Sequence, residues 1–169
     1  MARKKPEIMA DDIQKYKDEI RTLTNLLLEI TDEEMNYNPI REDGWSIKKH
    51  VLHILNSESQ SLIRTMSMSI NPKERITVLD SKEWIDSIKT DIIGKGICIN
   101  YLQNLSTLNL AIVQSNSRDN YEKKKVKCVY NGEEITVSLK ENIESSIDHL
   151  KYHKEYIDKN LLEYKEIKS

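Results

Sequence analysis

The stretch that decides the fold is KENIESSIDHLKYHKEYIDKNLLEYKE, residues 140–166. Apolar residues recur along it in steps of three, four and seven, the spacing of one face of an amphipathic α-helix. They are Ile143, Ile147, Leu150, Ile157, Leu161 and Tyr164. Because a helix with one apolar face buries that face against its neighbours, this stretch predicts the last helix of a helical bundle.

Two histidines, His149 and His153, lie at one edge of this apolar face. Residues four apart on a helix share a side, with about 5–6 Å between their Cβ atoms, so both imidazoles can reach one point. The only other histidines of the chain, His50 and His53, form a second close pair. Two such pairs indicate a metal site between two helices. The alternative for His149 and His153 is a pair of partly buried histidines with ordinary hydrogen bonds.

Three segments upstream repeat the helical pattern of apolar residues. They cover residues 11–30, 46–70 and 82–114. Ser46 is predicted to cap the second of these helices, and Asp80 or Ser81 the third. The third segment contains Gly94 and Gly96, and two glycines so close together predict a kink or a break.

The connections between the helices carry turn signals. A short turn is predicted at 31–34, and residues 115–120, SNSRDN, are predicted to form a loop. Helices cannot continue through three dipeptides, which are Asn38-Pro39, Asp43-Gly44 and Asn71-Pro72.

One connection carries a hairpin signal. Asn131-Gly132 is flanked by alternating polar and apolar residues over 125–130 and 134–139. This combination predicts a small β-hairpin before the last helix.

Together these elements predict an all-α fold, a four-helix bundle with one small β-hairpin, forming a single domain over residues 1–169. The composition agrees with this prediction, since 38% of the residues are apolar, 32% are charged, and only four are glycine and three proline. Such a balance favours helices with strongly solvated outer faces. A chain of this length can bury a core without disulfides.

The charge pattern argues against nucleic acid as a partner. The chain has 28 acidic and 26 basic residues mixed along its length, so no face is prepared for a phosphate backbone. The densest basic run, at 123–127, is predicted to be a solvated strand edge. An anion-binding patch is the alternative for this run.

The cysteines and the N-terminus indicate a cytoplasmic protein. Cys98 and Cys128 form no Cys-x-x-Cys pair, so neither a disulfide framework nor a zinc ribbon is predicted. Cys98 lies among apolar residues and is expected to be buried and inert. Residues 1–7 are basic but no apolar stretch follows, so we expect no secretory signal. No apolar run is long enough to cross a bilayer, and we expect no membrane partner.

Three motifs in order along the chain resemble the DinB/YfiT-like superfamily. They are Glu34-Met35-Asn36-Tyr37-Asn38-Pro39, then GWSIKKHVLHILNSE at 44–58, then His149-x-x-x-His153. This is the family of metalloenzymes named for a damage-inducible protein. The resemblance implies an up-down-down-up four-helix bundle, usually a homodimer, with a divalent metal held by three histidines. By position these are His53, His149 and His153.

The resemblance also implies a reaction class. Family members include S-transferases that use bacillithiol, mycothiol or glutathione, a mycothiol-dependent maleylpyruvate isomerase, and proteins proposed to be metal-dependent hydrolases. We therefore expect an enzyme in which the metal activates a low-molecular-weight thiol or a water for attack on a small electrophile. One alternative is a non-catalytic helical binding module that keeps the fold. A bundle without any metal is the other.

The ligand type limits which metal can bind. Three neutral imidazoles suit zinc, nickel, copper or iron, and they leave at least one coordination position open, as in catalytic sites. We expect zinc or nickel, with iron or manganese as alternatives, and a small-molecule substrate.

The residues around the predicted ligands have alternative roles. His50 is either an alternative or fourth ligand or, as we expect, a hydrogen-bond partner of a ligand or an exposed residue. His53 has small uncharged neighbours on its helix, which favours a wet cavity over a surface position. Trp45 is expected to anchor the core, and Glu58 to make a structural hydrogen bond or salt bridge. Three acidic residues are predicted to lie on a solvated face, namely Glu83, Asp86 and Asp91.

Overall fold

Four long helices form the body of the computed structural model, which describes residues 5–40, 44–70, 75–79, 81–130 and 132–169. The helices in chain order are α1 (Lys5–Glu29), α2 (Asp32–Asn36), α3 (Ile47–Ile70), α4 (Ser81–Ser87), α5 (Lys95–Ser115), α6 (Arg118–Lys123) and α7 (Leu139–Lys168). The long helix α3 packs against α5 and α7, and α1 packs against the same two helices. Helices α1 and α3 therefore lie diagonally across the bundle, and the predicted four-helix bundle is confirmed.

The apolar stripes of the four helices meet in one core. Its fully buried side chains include Leu23, Leu27, Ile54, Leu102, Ile143 and Leu150. Five of the six residues that define the stripe of the last helix are buried, from Ile143 to Leu161. This burial explains why the 140–166 pattern identifies the bundle, since the stripe has the width that one helix presents to its neighbours.

Several residues of the predicted turns lie outside the described residues. They are Asp43, the Asn71-Pro72 pair, Asp80 and Asn131. The turn predicted at 31–34 is present as the start of α2, where the Thr31 hydroxyl accepts from the backbone N–H of Glu34 and the Glu34 carboxylate accepts from the backbone N–H of Thr31.

The single helix predicted over 82–114 is interrupted. Helix α4 ends at Ser87, a 3₁₀ turn follows at Thr90–Ile92, and α5 begins at Lys95. Gly94 has extended backbone angles and is the N-cap residue of α5, whereas Gly96 lies inside its first turn. The break predicted near these glycines is confirmed at Gly94.

The loop predicted over 115–120 is wrong in its second half. Ser117 accepts a hydrogen bond from the backbone N–H of Asn120 and starts the short helix α6. Tyr121 anchors this helix, since its ring is buried and its hydroxyl lies 3.3 Å from the Asp12 carboxylate. A helix of six residues is too short to show an apolar period, so its polar sequence resembles a loop.

A three-stranded sheet precedes the last helix. The predicted hairpin is confirmed as β2 (Lys125–Tyr130) and β3 (Glu133–Ser138), and Gly132 takes a positive φ of 84° in the turn. A strand that the sequence did not reveal, β1 (Ile76–Thr77), pairs in parallel with β2.

The basic run at 123–127 lies only partly in a strand. Lys123 ends α6 and Lys124 is its C-cap residue, whereas Lys125 and Lys127 are exposed on β2, as expected of a solvated strand. The extra strand pairs with β2 at Cys128 and Val129, beyond this run. Lys127 forms an ion pair of 2.7 Å with Glu134 on β3.

No helix in the described part of the chain combines the length and the apolar character needed to cross a bilayer.

Candidate metal centre

Helices α3 and α7 bring all four histidines of the chain together at their interface. Nε2 of His53 on α3 lies 2.8 Å from Nε2 of His149 on α7. Nε2 of His149 lies 3.0 Å from Nε2 of His153, one turn further along the same helix. The candidate ligand atoms of these three residues all lie within 4.8 Å of one another. The structure thus brings together the three residues that the resemblance implies.

Local sequence fixes how these helices start. Ser138 and Glu141 form a reciprocal capping box at the start of α7, which sets the rotation of the helix and hence the direction of its histidines. At the start of α3 the Ser46 hydroxyl accepts a hydrogen bond of 3.3 Å from the backbone N–H of Lys49. This confirms Ser46 as the predicted cap.

The environment of the histidines favours their neutral form. Burial, followed by the charges of His53 and Arg64, lowers the pKa of His149 to about 4. Burial and the neighbouring histidines lower the pKa of His153 still further. Because only a neutral imidazole has a lone pair to share with a metal, these two side chains are ready to bind one at neutral pH.

Hydrogen bonding alone does not satisfy this cluster. A neutral imidazole has one N–H group and one acceptor nitrogen, yet Nε2 of His149 faces the Nε2 atoms of both His53 and His153. One cation bonded to all three nitrogens would resolve the conflict. Zinc binds histidine nitrogens at about 2.0–2.1 Å, which requires three nitrogens gathered around one point as they are here. The residues present therefore fit a three-histidine metal site.

His50 occupies a position behind the three histidines. Its side chain is buried, and its Nδ1 lies 2.9 Å from Nδ1 of His153. The expectation that His50 is exposed is therefore wrong. The alternative expectation, a hydrogen bond to a predicted ligand, is confirmed. If Nε2 of His153 binds a metal, its Nδ1 carries the proton and Nδ1 of His50 is the acceptor.

Aromatic rings hold the two α3 histidines in place. The Trp45 ring lies 5.6 Å from that of His50 and 5.3 Å from that of His53. On its other side His50 stacks on Tyr156 at 5.5 Å. Trp45 packs against the core as predicted, and it also restrains two histidines, a role that its position in the sequence did not reveal.

A cavity of about 440 Å³ opens beside the histidines, between α3, α7 and the sheet. His53 and His149 form part of its wall, together with Ser57 and Gln60 of α3. The uncharged neighbours of His53 predicted a wet cavity, and two of them, Ser57 and Gln60, line it.

Glu58 also lines this cavity, and the sequence did not predict that. The carboxylate is 1% exposed and accepts a hydrogen bond from the Tyr16 hydroxyl, as expected of a structural role. Burial raises its pKa to about 7, and the hydrogen bonds with Tyr16 and Ser146 only partly oppose that rise. Glu58 lies five positions after His53 and so off the arc of α3 that carries His53, but the cavity is wider than that arc.

Cys98 and three acidic residues of the chain have the buried or exposed positions that the sequence predicted. Cys98 is buried, and burial raises the pKa of its thiol. Glu83, Asp86 and Asp91 are exposed, and Asp86 forms ion pairs with Lys82 and Lys49. These carboxylates form part of a solvated face, as predicted.

Comparisons with known proteins agree with the fold. The family model of the DinB superfamily matches residues 15–157. Among solved structures, the chain is similar to YfiT from Bacillus subtilis, "a probable metal-dependent hydrolase with an unusual four-helix bundle topology". The two chains share 17% sequence identity and superimpose with a TM-score of 0.75, over 90% of this chain and 85% of YfiT. No curated protein matches the chain significantly.

Proposed function

This chain belongs to the DinB superfamily, and on that premise we propose that it is a metal-dependent enzyme in which His53, His149 and His153 hold one divalent transition metal ion. The observation that carries the proposal is the contact of Nε2 of His149 with the Nε2 atoms of both other histidines, at 2.8 Å and 3.0 Å. Zinc or nickel is the proposed metal, because neutral imidazoles suit both. When bound, such an ion lowers the pKa of a coordinated water to about 7 or deprotonates a coordinated thiol.

The chain's own residues orient the site and supply a proton acceptor. His50 accepts the Nδ1–H of His153 and holds its Nε2 toward the other two histidines. Glu58 lines the same cavity, and its pKa of about 7 suits a group that exchanges a proton near neutral pH. We assign Glu58 as the candidate general base.

The proposed reaction is attack of an activated water or low-molecular-weight thiol on a small electrophile held in the cavity. Hydrolysis is supported by the likeness to YfiT, described as a probable metal-dependent hydrolase. Thiol transfer is supported by the resemblance of the motifs to a family whose members include S-transferases. The cavity of about 440 Å³ accommodates a small molecule, which fits both reactions.

The metal content of the purified, untagged protein tests the site. We expect about one equivalent of zinc or nickel per chain, since a three-histidine site binds one ion. His153→Ala should lose the metal, whereas Lys151→Ala, an exposed residue on the same helix, should keep it. Equal metal content in both variants would refute the assignment.

Turnover tests the reaction. The metal-loaded protein is assayed on p-nitrophenyl acetate and on 1-chloro-2,4-dinitrobenzene, with and without glutathione or bacillithiol. Activity that is lost in the Glu58→Gln variant and after chelation supports the proposal. Metal binding without turnover of either compound would support the non-catalytic binding module.

A further inference from the structure

Arg64 is the one described cationic residue that lines the cavity of the candidate metal centre. It lies on α3, on the same side as His53 and Gln60, and its side chain is partly buried. Burial lowers the pKa of Arg64, which shows that its charge is held partly out of water.

The guanidinium is fixed by a single neutral partner. Its Nε donates a hydrogen bond of 2.6 Å to Oδ1 of Asn142 on α7. Asn142 is itself held by its amide group, which donates to the carbonyl and hydroxyl of Ser61 at 3.0 Å and to Thr65 at 3.1 Å. These bonds set the orientation of the amide, so Oδ1 can only face Arg64. The arginine is therefore positioned before any ligand arrives.

Four of the five N–H groups of Arg64 remain available. No carboxylate in the described ranges forms an ion pair with Arg64, and no described acceptor bonds to its Nη1 or Nη2. The ion pairs found elsewhere in the described chain are mostly exposed, such as that of Arg75 with Glu134 at 2.8 Å. Glu58 lines the same cavity and its charge raises the pKa of Arg64, but no described carboxylate bonds to the guanidinium, so its Nη atoms are left for the anionic group of a ligand.

The remaining walls show what else the ligand must carry. The strands contribute Tyr130, Ile135 and Val137, and Val78 lies just after β1, so this wall is largely apolar. The helices contribute Glu58 and Glu141, which repel a highly charged anion. One cation beside two carboxylates suits a monoanion such as a carboxylate, whose two oxygens match the planar fork of arginine. A phosphate dianion would need further cations.

We propose that Arg64 is the specificity-determining residue of this site and binds a carboxylate group of the substrate. The inference rests on the proposed function for the other end of the substrate, where its electrophilic atom lies at the three histidines. Asn142 and His149 are seven residues apart on α7, about 10 Å along the helix axis. The substrate is thus an electrophile with an apolar body and a carboxylate about two helical turns from its reacting atom.

Two hydroxamates of equal chain length test the proposal. Octanohydroxamic acid ends in a methyl group and suberic acid monohydroxamate ends in a carboxylate, and both bind metal through the hydroxamate. Calorimetric titration of the zinc-loaded protein should show that the carboxylate probe binds about ten- to a hundredfold more tightly, the usual effect of a charged hydrogen bond. Arg64→Met should remove this preference, and Arg64→Lys should keep part of it.

Matched controls separate the possible results. Arg75→Met, on an exposed arginine that does not line the cavity, should keep the full preference. The methyl-ended probe should bind Arg64→Met as tightly as the unmodified protein, which shows that the variant is folded. Equal affinity of the two probes for the unmodified protein, or a preference that survives in Arg64→Met, overturns the assignment.

Failure of the metal site gives a different result. If neither hydroxamate binds, the proposed function fails, and the role of Arg64 is decided on chelator-treated protein with octanoate and its neutral analogue octanamide. Tighter binding of octanoate that is lost in Arg64→Met supports the carboxylate site. Equal binding of the two compounds overturns it.

Discussion

At the scale of single residues, the position of one proton decides how the metal centre works. Nε2 of His153 can bind a metal only when its Nδ1 carries the proton, and the acceptor for that proton is Nδ1 of His50 at 2.9 Å. Partners of this kind fix the tautomer and ring orientation of metal-binding histidines. In the proposed site, His50 would therefore act on the bound metal through His153.

Replacing His50 tests this role. His50→Phe keeps a ring between Trp45 and Tyr156 but removes the acceptor, so we expect metal affinity to fall about 10- to 100-fold. Competition with a chromophoric zinc chelator measures the affinity. Tyr156→Phe, which keeps the ring that stacks on His50 and removes only its hydroxyl, should leave the affinity unchanged. An unaltered affinity in His50→Phe would show that His153 needs no such partner.

The buried carboxylate of Glu58 should make stability depend on pH. Burial raises its pKa from 4.5 to about 7, so folding favours the protonated form. The stabilising contribution is complete below about pH 4.5 and disappears as the pH rises through about 7. For the metal-free protein, Glu58→Gln should therefore be more stable than the unmodified chain at about pH 8, by about 3 kcal/mol, with a much smaller difference at about pH 5.

Urea unfolding at both pH values, in the presence of chelator, measures this difference. Glu155→Gln, on the exposed side of α7, serves as the control and should show the same small effect at both. If the gain in unfolding free energy of Glu58→Gln over the unmodified chain does not grow with pH, the carboxylate stays ionised in the folded protein.

At the scale of elements, the start of α7 determines where two of the three candidate ligands lie. The Ser138 hydroxyl accepts from the backbone N–H of Glu141, and the Glu141 carboxylate accepts from the backbone N–H of Ser138 at 2.7 Å. Ser138 is buried, so water cannot replace its hydroxyl easily. The capping box thus joins the sheet to the helix that carries His149 and His153.

Removing this cap should destabilise the protein. Ser138→Ala is expected to lower the free energy of unfolding by about 1 kcal/mol, the usual cost of losing an N-cap hydroxyl. Denaturant unfolding monitored by far-ultraviolet circular dichroism measures the change. Ser145→Ala, in the second turn of the same helix, should be neutral or stabilising because alanine is the better helix former. Equal effects of the two substitutions would argue against the capping role.

The elements that the sequence predicted are those with a long repeating pattern. The stripe from Ile143 to Leu161 predicted α7, and Asn131-Gly132 predicted the hairpin. Strand β1 has only two residues, too few to show alternation, and its pairing with β2 depends on a partner about fifty residues away. Such pairing is a property of the folded chain, and no local pattern encodes it.

The residues of the candidate site were also predictable only where a local spacing places them. His149 and His153 lie one helical turn apart, so their convergence was predictable from spacing. The approach of His53 required the resemblance to a family, because it depends on how two distant helices pack. Arg64 and Glu58 were missed since their importance comes from a cavity that the sheet completes, and spacing along α3 alone does not show that wall.

At the scale of the whole molecule, the metal should contribute to the stability of the fold. The three histidines come from α3 and α7, which pack against each other, and an ion bound only to the folded state stabilises it. At a free metal concentration 100 times the dissociation constant, the gain is about 2.7 kcal/mol. The homodimer implied by the family resemblance stays a prediction.

Thermal unfolding with zinc and with chelator measures this contribution. The unmodified protein should unfold at a higher temperature with zinc, and the difference should increase with zinc concentration. His149→Ala should unfold at the same temperature in both conditions. Identical curves for the unmodified protein would favour the metal-free bundle.

The origin of the sheet has a consequence for how the protein can be redesigned. Strand β1 comes from the chain between α3 and α4, and β2 and β3 from the chain between α6 and α7, so none of them belongs to the bundle. The sheet nevertheless supplies part of the apolar wall of the cavity through Ile135 and Val137, next to Val78, which follows β1. The apolar wall and the reactive centre are thus encoded in separate segments, and a library confined to the strands can change which apolar substrate body fits while the histidines and Arg64 stay constant.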